Sequence, residues 1–532
     1  MIRIKNIVLP FDHEPDALER EIPARLKINK SHLKGFSIFR KSLDARKKSQ
    51  IKTVYTIDAE IQDEERWLSE NQEDPNIGPS PDMVYHEPKP GSVPGLSPVI
   101  IGTGPCGLFA GLILAEAGLK PLLIERGKRV DERVRDVRQF WESGTLLPES
   151  NVCFGEGGAG TFSDGKLTTQ IKDRSNRIRK VLAELVDCGA DPEILYQAKA
   201  HIGTDHLIRI IQQIRDKILS LGGQVRFETR LTGLDIHQGR IIGIRVNDEE
   251  VVLANTAVLA LGHSARDTYK MLHASGVSME AKPFSLGVRI EHPQTLINQT
   301  QYGASHSHPR LGPAEYKLVS RCPNGRAVYS FCMCPGGKVI ASSSEPGGVV
   351  TNGMSMHARH FKNGNSALLV NVDVADFGNS HPLSGVVFQK QWEAKAFVMG
   401  GSNYFAPVQR VGDFLAGKPS LSFGEVVPSY SPGVTPCDLR ECLPGFVAEA
   451  LAHAIPKMDQ SLKGFAMADG LMTAVESRSS SPVRILRTDN FESQSIKGVY
   501  PAGEGAGYAG GIVSSAVDGI RVAEAILAKL NG

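Results

Sequence analysis

Ser97-Pro98-Val99-Ile100-Ile101-Gly102-Thr103-Gly104-Pro105-Cys106-Gly107 decides how this 532-residue chain is read. An apolar run ends in the pattern G-x-G-x-x-G, and an apolar helical stretch, Leu108 to Ala117, follows before Gly118 stops it. Pro121-Leu122-Leu123-Ile124-Glu125 is then a second apolar strand, which makes a βαβ unit. Each glycine has its own task. Gly102 permits the tight turn, Gly104 removes the side chain that would block a pyrophosphate, and Gly107 lets the helix pack on the strand. The helix start offers free amides and a positive dipole end to phosphate oxygens. Glu125 lies where an acid meets ribose hydroxyls and disfavours a 2′-phosphate. The unit by itself does not separate FAD from NAD.

Outward from this unit, Gly203 to Leu221 reads as a long amphipathic helix, with strands at Val225 to Phe227, Ile241 to Val246 and Ala257 to Gly262. Residues 91–272 are therefore the first part of a dinucleotide-binding domain. Residues 273–415 carry many Gly, Ser and Pro and short strands such as Leu368 to Val374, and are expected to be an inserted β-rich cap. Residues 416–532 return to α/β and close with a helix, Gly511 to Leu530, as the second part of the dinucleotide domain. Residues 1–90 read as a small α+β unit of ferredoxin-like kind plus a linker. Ile2 to Val8, Phe36 to Phe39 and Ile51 to Ile57 are its strands and Asp16 to Leu26 its helix. The stretch 72–98, with Pro88-Lys89-Pro90-Gly91, has linker composition.

Composition excludes several classes. A chain of this length spans three or four domains, or one large domain with an insertion. With 41% hydrophobic and 22% charged residues it is not disordered, collagen-like or coiled-coil. Sixty Lys+Arg against 58 Asp+Glu exclude an overall basic coat. Eight cysteines are too sparse for a disulfide scaffold. No apolar run reaches the roughly 18–20 residues that span a bilayer, and Met1 to Pro10 lacks a signal-peptide core. The expectation is a soluble cytoplasmic protein without a membrane partner.

Two more segments carry a resemblance. Val499-Tyr500-Pro501-Ala502-Gly503-Glu504-Gly505-Ala506-Gly507-Tyr508-Ala509-Gly510-Gly511-Ile512 resembles the C-terminal flavin motif of glutathione-reductase-type flavoproteins, and Ala257 to Gly262 resembles their middle strand. With Phe154-Gly-Glu-Gly-Gly-Ala-Gly-Thr-Phe-Ser-Asp-Gly-Lys-Leu167, the chain resembles a bacterial family of uncharacterised FAD-dependent dehydrogenases along nearly its whole length. The resemblance implies an FAD-binding Rossmann-like domain, a β-rich inserted cap and a small N-terminal domain. It implies FAD as cofactor, contacted by Gly102, Gly104, Pro105, Cys106, Gly107, Glu125 and Arg126 at the fingerprint. Gly158, Ala159, Gly160, Thr161 and Ser163 would follow in the second glycine loop. Gly262, Gly503, Glu504, Gly510, Gly511 and Ile512 would complete the cofactor set. Relatives carry Asp where this chain has Glu504, so the role of Glu504 is open. The last helix would aim its N-terminus at the flavin pyrimidine edge. Asp164 and Lys166 are polar groups expected near the flavin ring. The alternative for 154–167 is a plain solvent loop.

Weaker candidates surround this core. His263 follows the middle strand and is a candidate acid or base, and Arg266 a candidate clamp for an anionic group; the competing reading is a helix cap and an ion pair. Cys332 and Cys334 form a C-x-C pair that is either a thiol site or two small buried residues. Cys437 and Cys442 fit no zinc spacing, and no metal is expected. Residues 25–52 hold ten Lys/Arg, an RNA patch or a solvated face, the solvated face being favoured. No second G-x-G-x-x-G lies between a strand and a helix, so NAD(P)H would dock only transiently. The reading is an FAD-dependent oxidoreductase moving hydride between the flavin and a small-molecule substrate held by the inserted domain. A flavin-dependent RNA-modifying enzyme and a non-enzymatic FAD scaffold or sensor are the alternatives.

Overall fold

The strands Val499–Pro501, Ala257–Leu259, Val99–Ile101, Leu122–Ile124 and Gln224–Arg226 lie side by side in that order, every neighbouring pair parallel. The computed structural model describes residues 1–71, 73–88 and 95–531. The first three of these strands are buried along their whole length. Continuous apolar runs form here because a parallel sheet is covered on both faces. Val99–Ile101 sits in the middle, and the chain crosses to opposite sides of it to make its neighbours. Its C-terminal end is a topological switch point, where open α/β sheets bind ligands.

One cover of this sheet is a pair of closely packed helices. Pro105–Glu116 is apolar on every side and buries Cys106 through Ala115. It lies against Ile512–Lys529, and a Cβ on Gly519 would stand 2.1 Å from the Cys106 carbonyl oxygen. The fingerprint packs as tightly, since a Cβ on Gly107 would stand 1.9 Å from the Gly102 oxygen.

A seven-stranded sheet forms the second large body. Its order is Val319–Arg321, Ala327–Cys334, Asn363–Val372, Phe284–Pro293, Leu471–Glu476, Ala406–Arg410 and Val434–Pro436. All neighbours are antiparallel except the last pair. Leu286, Val288 and Ile290 pack beneath it with Val447, Leu451 and Ile455 of the helix Gly445–Ser461. The sheet therefore runs from Phe284 to Glu476, past the end at 415 that composition indicated. The Ala-rich helix 445–461 imitates a return to α/β, yet it covers this same sheet. The segment 273–415 also holds a 17-residue helix, Ser384–Gly400. Its buried side includes Gln389 and Glu393, so no apolar stripe announces it.

The N-terminal residues form Ile2–Pro10, Ala17–Leu26, Leu33–Asp44, Lys52–Ile61, Glu64–Glu70 and Ile77–Pro79 in succession. The strand order is Leu33–Asp44, Lys52–Ile61, Ile2–Pro10, Ile77–Pro79, antiparallel throughout, which is the split βαβ arrangement of the ferredoxin-like unit. Ile77–Pro79 corrects the expectation of linker over 72–98. It is a short edge strand with Gly and Pro, which reads as linker because only an edge tolerates that composition. Residue 72 and residues 89–94 of that stretch, with Lys89-Pro90-Gly91, lie outside the described residues. Lys41 ties the unit to the rest: its amide donates to the Tyr196 oxygen at 2.8 Å, and its oxygen accepts from Ala198 at 2.9 Å. Among the described residues, no helix is long and apolar enough to cross a membrane.

The contact of Gly519 with the Cys106 backbone gives a direct test of this packing. Gly519→Ala is expected to cost about 1–3 kcal/mol, read as a lower urea midpoint with an unchanged slope. An unchanged midpoint would contradict the packing of the two helices.

Candidate functional site

The C-terminal ends of the parallel strands and one face of the seven-stranded sheet enclose a single cavity of about 1580 Å³, counting its open mouth. Gly102, Gly104, Pro105, Cys106, Glu125 and Arg126 line one part of it. Gly158, Ala159, Gly160 and Ser163 line another, with Gly262, Glu504, Gly510, Gly511 and Ile512 around them. The sheet contributes Arg289, Phe331, Cys332, Cys334 and Glu476, and a separate two-stranded sheet, Lys338–Ala341 with Thr351–Met354, contributes Asn352.

Two glycine loops face each other across this space. A Cβ on Gly158 would stand 3.0 Å from the Gly104 Cα. Gly158 takes φ +63° and Gly155 φ +119°, conformations that favour glycine. The second loop is pinned from behind by Arg133, which is fully buried. Its guanidinium donates to the carbonyls of Asn151 (2.8 Å), Val152 (2.8 Å), Gly155 (3.2 Å) and Glu156 (2.7 Å). Sequence reasoning missed Arg133. Its one signal is an arginine on the apolar side of the helix Val130–Ser143, between Val130 and Val137.

Three of the expected cofactor positions do not face the cavity. Gly107 is consumed in packing against Gly102. Thr161 is buried, its hydroxyl in contact with Arg133 and the Glu156 carbonyl. Gly503, at φ +74°, sits against Cys106 and donates its amide to Asp518 at 2.8 Å. The Glu125 carboxylate faces the cavity but also serves the loops. It accepts from the Thr103 amide and hydroxyl (both 2.9 Å) and from the Gly127 and Gly155 amides (both 3.0 Å). Arg126 lies 4.0 Å over the Phe154 ring and pairs with Glu149 and Asp267, both at 2.9 Å.

Near the sheet, Lys166 donates to Asp164 at 3.0 Å and to the Met333 carbonyl. Lys166 and Arg359 hold the Asp164 carboxyl below its ordinary range against the opposing effect of burial. Glu504 stands in the cavity wall, and among the described residues its carboxylate has no hydrogen-bond partner. Burial pushes it up to about 7, opposed by the Lys282 ammonium. Cys332 is the one exposed cysteine of the eight, in a strand bulge at φ +43°. Desolvation pushes the buried Cys334 thiol up to about 12, so it is not a ready thiolate. Cys437 and Cys442 donate their thiols to the carbonyls of Val408 and Leu439.

Arg266 is not an anion clamp. It is 1% exposed, does not line the cavity, and its guanidinium is taken by Glu393 (2.7 and 2.8 Å), Glu345 (2.7 Å) and Gln389 (2.9 Å). Arg478 meets the same Glu393 at 2.8 Å. His263 does line the cavity. Burial and the cations of Arg478 and Arg266 hold its imidazole down to about 3, which removes it as a base working near neutrality. Of the N-terminal cations, Arg25, Lys30 and Arg46 pair with Asp74, Glu19 and Asp44, and the cavity lining includes none from residues 25–52.

The donor set suits a dinucleotide: two helix starts at Pro105 and Ile512, bare glycine backbone between them and an acid at the second strand end. Comparisons with known proteins agree on the cofactor. Residues 283–479 match the family described as "FAD-dependent protein, C-terminal domain-like", and residues 1–60 match a domain of unknown function. An uncharacterised protein of Clostridium beijerinckii is 48% identical over 532 residues, which is 100% of this chain and 99% of that one. Solved structures with partial likeness include glycine oxidase from Bacillus cereus. That match is 12% identical with a TM-score of 0.30, covering 81% of this chain and 95% of that one. L-proline dehydrogenase from P. horikoshii is 10% identical with a TM-score of 0.34, covering 82% and 94%. At such scores these likenesses carry no weight on function.

Two variants test this description. Arg266→Met leaves Glu393 short of a partner and is expected to cost about 3–5 kcal/mol in urea unfolding; wild-type stability would contradict the buried cluster. For Glu504 the folded value lies above the ordinary one, so the native state holds a proton that the unfolded chain releases. Wild-type stability relative to Glu504→Gln should therefore fall as pH rises from about 4.5 to about 7, and level off above. A difference independent of pH, measured on the cofactor-free proteins, would contradict the placement of Glu504.

Proposed function

Because this chain belongs to the same family as the Clostridium beijerinckii protein, a family of FAD-dependent proteins, we propose that it is an FAD-dependent oxidoreductase. The observation that carries the reading is the shared cavity: the two glycine loops, both helix starts and the polar face of the seven-stranded sheet open on one space. FAD, when bound, supplies two-electron transfer chemistry that no protein side chain offers.

In this reading the amides of Gly104 and Cys106, at the start of Pro105–Glu116, hold the pyrophosphate. Glu125 accepts from ribose hydroxyls while keeping both loops in register. Arg133 fixes the second loop, so that Gly158 to Gly160 approach the cofactor without side chains. The start of Ile512–Lys529 places its dipole where negative charge would gather on the flavin. Lys166, Phe331, Cys332 and Asn352 form the wall left for a small-molecule substrate. Asn352 is held by Arg289, whose guanidinium donates to its side-chain oxygen at 2.9 Å. Glu504, poised near neutrality, can hold or release a proton at the cavity wall. NAD(P)H would reach the cofactor only as a transient donor through the open mouth.

The test is anaerobic reduction of the purified protein, followed by absorbance after adding NADH or NADPH. Flavin absorbance that bleaches, returns with oxygen, and is missing from Gly104→Val supports the reading. A protein that FAD cannot reconstitute, or bound flavin that dithionite reduces but no nicotinamide or organic donor does, overturns the oxidoreductase.

A further inference from the structure

Behind His263 runs a line of hydrogen bonds whose direction is fixed at one end. Glu393 accepts from Arg478 Nε at 3.0 Å and Nη2 at 2.8 Å. Arg478 Nη1, which can only donate, reaches Ser264 Oγ at 2.9 Å. Ser264 is 2% exposed, and its Oγ stands 2.9 Å from His263 Nδ1. Were Nδ1 to carry the proton, Ser264 would receive two donors and its own buried hydrogen would go unpaired, a cost of about 1–3 kcal/mol. The arrangement that satisfies every group has Ser264 donating to Nδ1. The proton of a neutral imidazole then sits on Nε2. That nitrogen has no protein partner among the described residues, and His263 lines the cavity.

We propose that His263 presents Nε2–H as a donor to an acceptor oxygen of a ligand in the cavity, with Ser264 and Arg478 as its positioning residues. The proposal rests on the functional reading above for what enters the cavity. Burial and two of the three charged groups near the ring favour the neutral form. Arg478 and Arg266 repel an imidazolium, and Glu393, the opposing charge, is already spent on both guanidinium groups. An acceptor oxygen could belong to FAD or to the reductant, and the two sources are separable.

The test reads histidine-labelled protein by ¹⁵N NMR from pH 5 to 9, with and without FAD, using His263→Ala to identify the signal. The expected signal has Nδ1 bare and Nε2 protonated, with no titration step in the range. In Ser264→Ala both nitrogens should move toward values averaged between the two tautomers. A protonated Nδ1, or a titration between pH 5 and 8, overturns the proposal. His263→Ala should also weaken one ligand about tenfold, and His263→Gln, which keeps an N–H near that position, should recover most of the loss. A weaker FAD dissociation constant places the acceptor on the cofactor. Unchanged FAD binding with slower reduction by NADH or NADPH places it on the reductant, and neither change overturns the proposal. Flavin absorbance on the same samples separates failure of the cofactor reading from failure of this one.

Discussion

Two guanidinium groups, Arg266 and Arg478, converge on one buried carboxylate, Glu393, and the geometry of the cavity depends on that meeting. The three residues come from different parts of the chain. Arg266 begins the helix after the strand Ala257–Leu259 of the parallel sheet, Glu393 lies on the helix 384–400, and Arg478 follows the last long strand of the seven-stranded sheet. Burying such ions costs several kcal/mol each before their attraction is counted. An apolar cluster would hold the two bodies together as well, but it would tolerate sliding. Charge pairs at 2.7–2.8 Å fix register. The strand ends that carry the fingerprint are thereby held at one distance from the sheet that closes the cavity.

The same cluster sets chemistry at the wall. It feeds a hydrogen-bond direction through Ser264 into His263 and keeps cationic charge beside it. Glu504 shows the opposite case. It lies in a comparably buried place with no partner of its own, so its proton is loosely held near neutral pH. One wall thus carries an acid pushed up toward neutrality and a histidine held well below it. The difference comes from what stands behind each side chain, not from residue type.

Much of this was legible in the sequence, and the reason differs by region. The fingerprint and Glu125 were readable because a strand, a tight glycine turn and a close-packed helix impose glycine at fixed spacing between two parallel strands. The glycine loop at 154–167 was readable because its backbone takes positive φ at Gly155, Gly157 and Gly158 and approaches Gly104 closely. The role of Arg266 was not. An arginine beside a site looks alike whether it binds a substrate or a glutamate 127 residues away. Arg133 was invisible because its partners are backbone carbonyls, which no residue type marks. The helix 384–400 hid because Gln389 and Glu393 interrupt its inner face, and the sheet boundary at 415 failed because the helix 445–461 mimics a return to α/β. In each case the missing information was a long-range partner.

The most direct test of the account is to denature the purified protein and identify and count the released flavin by chromatography. One FAD per chain is the predicted result, with none from Gly104→Val. FMN in its place, or no flavin even after incubation with FAD, would contradict the assignment of the cavity.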